Sequence, residues 1–329
     1  MTTSTRIIAT ASYAPANIIQ NSHFRHLDAD PDTWIYSRTG IRQRRFASSD
    51  ESTSTMATAA TRQLLADHAI YPLSIDLIVL ATSTPDMTLP QTATMVQKNI
   101  GARNAVAFDV NAVCSGFAFA LDTADSFLKA GKGKRALVIG ADLYSRTLDF
   151  TDKSSCFIFG DGASAALLTT EETSGADILA SRIATDGNSW ELITVPSSGS
   201  ARPVTAETIA AGENTFQMAG KQVFMFAVER IPPFMKSLAE AAGIPLSDID
   251  YVIPHQANVR IINNLSNKTG VPQDRFLTNL EVHGNTAAAS VGMVLDESWR
   301  KGLFKSGTSL MMLGFGGGLS WGGAVFRWR

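Results

Sequence analysis

Cys114 lies within Phe108-Asp109-Val110-Asn111-Ala112-Val113-Cys114-Ser115-Gly116-Phe117-Ala118-Phe119-Ala120-Leu121. The spacing predicts a helix that begins near Val113, has almost no polar face up to Leu121, then gains one from Asp122, Asp125 and Lys129 before Gly131 stops it. A helix that starts apolar all round starts buried. A cysteine in its first turn meets unpaired N–H groups and the positive end of the helix dipole, which favour a thiolate nucleophile. Taken alone, the stretch fits an inert core cysteine more often than a nucleophile. Three other stretches supply what a nucleophile would need. Val252-Ile253-Pro254-His255-Gln256-Ala257-Asn258-Val259-Arg260 reads as a strand running into His255, at the carboxyl edge where sites of open α/β sheets gather. A structural histidine fits that position equally well. Asn285, in Glu281-Val282-His283-Gly284-Asn285-Thr286-Ala287-Ala288-Ala289-Ser290, reads by itself as a helix cap before small residues. Leu313-Gly314-Phe315-Gly316-Gly317-Gly318-Leu319-Ser320-Trp321-Gly322-Gly323 offers backbone nearly free of side chains, as close approach to an acyl oxygen requires. Thiolate, imidazole, amide and bare backbone together suit thioester chemistry.

These residues need elements to position them. Arg6 to Ala11, Ile75 to Ala81, Ala105 to Val110 and Arg135 to Ala141 read as strands, and Ser54 to Ala69 and Gln91 to Ile100 as helices between them. Such alternation indicates an α/β fold. Asn21 to Arg45 is polar, aromatic and basic; its Trp34 and arginines fit either a solvated face or a site for a flat ring and phosphates. Phe159-Gly160-Asp161-Gly162 lacks the lysine and spacing of a phosphate loop, so its glycines read as turn-makers before an apolar strand. Glu171 to Thr215 is rich in Ser, Thr, Gly and Pro and reads as an irregular boundary region; apolar periodicity returns from Thr215 to Ala242.

A repeat organises the whole. Asp76 in Pro72-Leu73-Ser74-Ile75-Asp76-Leu77-Ile78-Val79 matches Asp250 in Pro245-Leu246-Ser247-Asp248-Ile249-Asp250-Tyr251-Val252-Ile253, an offset of 174 positions (250 − 76). Leu121-Asp122 matches Leu295-Asp296 at the same offset, as do the strands ending in Gly140 and Gly314. One register shared by a strand, a helix and a second strand predicts a duplicated α/β unit. It also sets Asn111 against Asn285, so two related halves aim equivalent helix starts at a common point. We expect halves spanning 1–172, with the cysteine, and 173–329, with His255 and Asn285.

Composition narrows the partners. The 28 basic and 30 acidic side chains nearly cancel, which argues against a nucleic-acid footprint. Cys114 and Cys156 are the two cysteines, without zinc spacing, which predicts a reduced compartment and no metal. No apolar run reaches membrane-spanning length and no leader pattern is present. A soluble cytoplasmic protein is expected.

The segments Asp109 to Gly116, Pro254 to Arg260, Gly284 to Ser290 and Phe315 to Gly322, with Thr39 to Arg42 and Phe159 to Ala163, resemble β-ketoacyl-acyl carrier protein synthase III of the thiolase superfamily, in order along essentially the whole chain. That resemblance implies a thiolase-like duplicated five-layered α-β-α-β-α fold. It implies an acyltransferase without cofactor, whose substrate is a coenzyme A thioester. Cys114 would take the acyl group from acetyl-CoA or another short starter, and decarboxylative condensation with malonyl-acyl carrier protein would start fatty-acid synthesis. His255 and Asn285 would complete the catalytic set, with the oxyanion hole formed by backbone N–H groups of Cys114 and Gly317. Trp34, Arg38, Lys153, Gly220, Phe224 and Asn258 would bind CoA and its pantetheine arm. Phe315 would border the acyl pocket, and a homodimer would bring Leu89 into the partner's pocket, where acetyl-selective members carry Phe. Arg260 and Lys268 would dock the carrier protein. Three departures stand out: Lys153 replaces an arginine that stacks on adenine, and Met225 and Asn267 replace basic docking residues. They leave open a specialised homologue that primes a secondary-metabolite pathway or acylates a hydroxyl or amine. A non-catalytic partner subunit is a third reading, opposed by the intact Cys114.

Overall fold

The computed structural model describes residues 4–171 and 174–329. The expected boundary between the halves, at 172 and 173, falls outside the described residues. Nine strands form one sheet: β1 (Arg6–Tyr13), β2 (Leu77–Ala81), β3 (Val106–Val110), β4 (Arg135–Asp142), β5 (Gly162–Thr169), β6 (Ala176–Thr185), β7 (Tyr251–Pro254), β8 (Ser309–Gly316) and β9 (Ser320–Trp328). Their order is β7-β8-β9-β6-β1-β5-β4-β2-β3. The two halves join through a short antiparallel pairing of β1 with β6, at Arg6 with Asp177 and Ile7 with Ala176. Within each half, β2 pairs in parallel with β4 and β7 with β8. Pairing then turns antiparallel from β4 to β5 and from β8 to β9.

The longer helices are α1 (Pro31–Thr39), α2 (Thr53–Asp67), α3 (Thr92–Ile100), α4 (Gly116–Lys129), α5 (Gly220–Ala241), α6 (Val259–Thr269) and α7 (Ser290–Arg300). Helix α4 touches β2 and β4 of the first half and β6, β8 and β9 of the second, while α7 touches β1, β5, β7 and β8. Both therefore lie between the two halves of the sheet. Helices α2 and α3 cover the outer face of the first half, and α5 with α6 that of the second. This is the expected five-layered α-β-α-β-α arrangement. Its middle layer is held by Phe117, Leu121, Val291 and Leu295, all fully buried, the apolar face that predicted a buried helix start.

The offset of 174 recurs in the backbone. Val113–Ser115 and Ala287–Ala289 are 3₁₀ turns that feed α4 and α7. Val113 and Ala287 both adopt left-handed φ, +48° and +46°, strain that non-glycine residues carry mainly where the surroundings enforce it. The side-chain oxygen of Asn111 accepts from Val113 N–H and that of Asn285 from Ala287 N–H. Asp76 accepts from Arg135 N–H as Asp250 does from Ser309 N–H.

Two expectations need correction. The region from Glu171 to Thr215 is not merely irregular, because it contains the ten-residue strand β6. Its exposed end at Arg182 to Thr185 hides the pattern, while pairing with β9 supplies the hydrogen bonds. Cys114 is not in the first turn of α4 but in the 3₁₀ turn ahead of it.

Candidate active site

The turn that carries Cys114 is held by glycines on β8. A Cβ on Gly314 would lie 2.9 Å from Ser115 Cα, and one on Gly316 2.8 Å from Cys114 Cβ and 3.0 Å from Cys114 N. Only hydrogen fits there. Gly317 follows at the end of that strand, with Val113 and Ile193 packed against it. Gly316→Ala is expected to displace the thiol and slow its acylation by about a hundredfold, measured as the rate of acyl uptake by the folded variant.

Cys114 is 6% exposed. Burial raises its thiol above the ordinary range, and the Asp142 carboxylate pushes the same way. Both influences oppose the thiolate expected at a helix end. Asn285 acts on the thiol in the opposite sense. Its side-chain oxygen accepts from Ala287 N–H at 2.8 Å, so its N–H₂ is the group it can offer as a donor. Two backbone bonds fix the residue: its N–H donates to Ile158 O and its C=O accepts from Gly160 N–H, each at 2.9 Å.

His255 ends β7, 2% exposed. Its backbone N–H donates to Leu313 O at 2.7 Å, its Nδ1 lies 2.8 Å from Ser290 Oγ, and its ring stands edge-on to Phe315 at 5.4 Å. Burial pushes its pKa down to about 3, so the imidazole is neutral.

A cavity of about 480 Å³ leads inward to Asn285. Trp34, Arg38, Lys153, Gly220, Phe224 and Asn258 all line it, as does Arg260. Trp34 meets Phe157 edge-on at 4.7 Å and the Arg38 guanidinium lies 5.2 Å from its ring centre. Asn258 caps α6 by accepting from Arg260 N–H. Asn285 lines this cavity, whereas Cys114 and His255 are not among its lining residues. Lys268 is exposed and donates to Val228 O at 3.0 Å; Met225 is exposed on α5 and Asn267 on α6. Leu89 is not brought to the cavity of its own chain and stands 82% exposed. Among the described residues no group of three or more His, Cys, Asp or Glu could hold a metal ion, and no helix is long and apolar enough to cross a membrane.

Sequence reasoning missed two supporting residues. Arg44, inside a basic run that fitted a solvated face or a ligand site, is fully buried. It donates to Phe157 O at 2.6 Å and Asn21 Oδ1 at 2.8 Å, bracing the segment that fixes Asn285, and burial lowers its pKa to about 9. Asp142, also fully buried, accepts from Thr82, Ser83 and Thr84 and from Ala288 N–H. It ties the end of β4 to the turn after Asn285. Its place at the end of an apolar strand was the available signal.

The family model for 3-oxoacyl-[acyl-carrier-protein] synthase III matches residues 108–187, and the model for the C-terminal part of that family matches 239–328. The chain is 41% identical over 325 residues to β-ketoacyl-[acyl-carrier-protein] synthase III of Clostridium acetobutylicum, covering 99% of each. It is 44% identical over 324 residues to the enzyme of that name from Erythrobacter litoralis, covering 98% of each. The crystal structure of 3-oxoacyl-[acyl-carrier-protein] synthase III from Aquifex aeolicus matches with a TM-score of 0.89 at 39% identity, over 98% of this chain and 100% of that one. Sequence and fold agree: this chain belongs to the 3-oxoacyl-[acyl-carrier-protein] synthase III family.

Proposed function

We propose that Cys114 takes the acyl group and that His255 and Asn285 stabilise the enolate in an initiating condensation. The acyl donor is an acyl-CoA and the extender is malonyl-acyl carrier protein. The observation that carries this assignment of roles is Asn285, which acts on the Cys114 thiol and also lines the cavity bordered by Trp34, Arg38 and Lys153. The acyl carbonyl carbon bonds to sulfur, CoA departs, and the thiol proton ends on the CoA sulfur. N–H groups of Cys114 and Gly317 hold the oxyanion. Malonyl thioester then loses carbon dioxide, and its enolate oxygen accepts hydrogen bonds from His255 and Asn285. The new carbanion attacks the acyl carbon, giving a β-ketoacyl-carrier product and releasing the Cys114 thiolate, which takes one proton from solvent to restore the thiol. Incubation with acetyl-CoA and malonyl carrier should yield one carbon dioxide and one free CoA per β-ketoacyl product; a ratio far from one contradicts this sequence. Transfer to a hydroxyl or amine is not favoured, since it has no use for a pair of enolate donors.

Trp34 and Arg38 hold the nucleotide end of CoA, with Lys153 supplying charge without a flat guanidinium. Gly220, Phe224 and Asn258 flank the pantetheine arm, and Arg260 and Lys268 meet the acidic carrier. The reaction is placed in the cytoplasm, a reducing compartment that suits the free thiols of Cys114 and Cys156. The working unit is a homodimer. Strand β3 is the sheet's edge and its Val106 is 56% exposed, an unpaired edge suited to a second copy. Gln91 Nε2 donates to Ala107 O on that strand, which sets the segment carrying the exposed Leu89 beside that edge. Leu89→Phe should lower turnover of butyryl-CoA relative to acetyl-CoA. Equal or better butyryl turnover in the variant would contradict that placement.

A further inference from the structure

One buried hydroxyl has a single hydrogen-bond partner, and that partner is the imidazole of the site. Ser290 is fully buried in the first turn of α7. Its Oγ lies 2.8 Å from His255 Nδ1, and neither atom has another hydrogen-bond partner among the described residues. We propose that Ser290 is a positioning residue: its O–H donates to Nδ1 of His255 and so fixes the tautomer that keeps its hydrogen on Nε2, ready to donate to the enolate oxygen. The inference deepens the reading of His255 as an enolate donor and rests on it.

Two arrangements are open to a neutral ring. If Nδ1 carried the hydrogen it would donate to Ser290 Oγ, and the serine hydrogen would be buried without an acceptor, a state that folded proteins avoid. If Ser290 donates, both groups are satisfied and Nε2 bears the hydrogen. The doubly protonated ring is disfavoured by burial and by the positive end of the eleven-residue α7. Phe315 packs edge-on against the ring, and the bond from His255 N–H to Leu313 O fixes the backbone that carries it.

The repeat supplies an independent observation. At the offset of 174, His255 corresponds to Ala81 and Ser290 to Gly116 (255 − 81 and 290 − 116). Those counterparts also meet: a Cβ on Gly116 would lie 2.9 Å from Ala81 Cβ. The same contact is thus built from two small residues in one half and from a hydrogen-bonded histidine and serine in the other. The hydroxyl occurs where the imidazole occurs. During condensation the hydrogen stays on Nε2 and no proton is transferred at that atom; Ser290 only holds the donor in place.

The test combines nitrogen NMR of full-length protein labelled at histidine with the two half-reactions. The wild-type resonances of His255 should show a protonated Nε2 and an unprotonated Nδ1 that accepts a hydrogen bond. Ser290→Ala should lower condensation about tenfold or more while acyl uptake by Cys114 stays within about twofold, and Ser290→Thr should restore condensation. A wild-type Nδ1–H overturns the proposal, as does a Ser290→Ala variant that condenses normally or loses acylation and condensation equally. NMR reads the tautomer in the resting protein, whereas absence of wild-type condensation would strike the reading of the site itself.

Discussion

Cys114→Ala takes up no acyl group from acetyl-CoA and loses condensation by about 10⁴-fold or more, as followed by intact mass and product formation. The variant should still fold, since the side chain is small and the turn is held by the backbone against Gly314 and Gly316. The pH dependence has a defined sign. Burial and Asp142 both raise the thiol, so alkylation of Cys114 by a small reagent should keep rising with pH beyond 8.5 instead of levelling there. A plateau near neutrality would show a preformed thiolate.

His255→Ala and Asn285→Ala should each cut condensation by about 10² to 10³-fold, the cost of one donor to a developing oxyanion, while acylation from acyl-CoA persists. This separation divides the site into a nucleophile and an enolate hole. Single-turnover rates for the two half-reactions measure it; equal loss in both would place the residues in acylation instead. Because the imidazole is neutral above about 3, condensation should show no titration of His255 between pH 5 and 8. The same lowering affects stability. Between about 3 and about 6.5 the unfolded imidazole holds a proton that the buried one refuses, so this contribution to stability falls as pH falls through that window. Urea unfolding of wild type and His255→Ala at pH 7 and 5 reads the difference.

The duplicated fold was legible because its signals are periodic. Buried parallel strands such as Leu77–Ala81 read as continuous apolar runs, and one offset aligned Asp76, Leu121 and Gly140 with their counterparts before any contact was known. Cys114, His255 and Asn285 stand out as candidates from the resemblance and from their places at element ends. Other features depended on tertiary contacts. Arg44 has the composition of a surface arginine, and only the carbonyls of Ile19 and Phe157 with the Asn21 amide make its burial tolerable. The upward push on the Cys114 thiol comes from burial and then from Asp142 at the end of β4, and the role of Ser290 depends on the distance to one ring nitrogen. Strand β6 was hidden because half of it faces outward and its partner lies at the C-terminus.

Intact-mass measurement of one sample through two additions tests the central claim most directly. The protein with acetyl-CoA should gain a single acetyl group on the Cys114 peptide, and malonyl-acyl carrier protein should then remove it as a β-ketoacyl carrier. A protein that gains no acetyl group, or an acetyl adduct that the malonyl carrier leaves in place, would contradict the account.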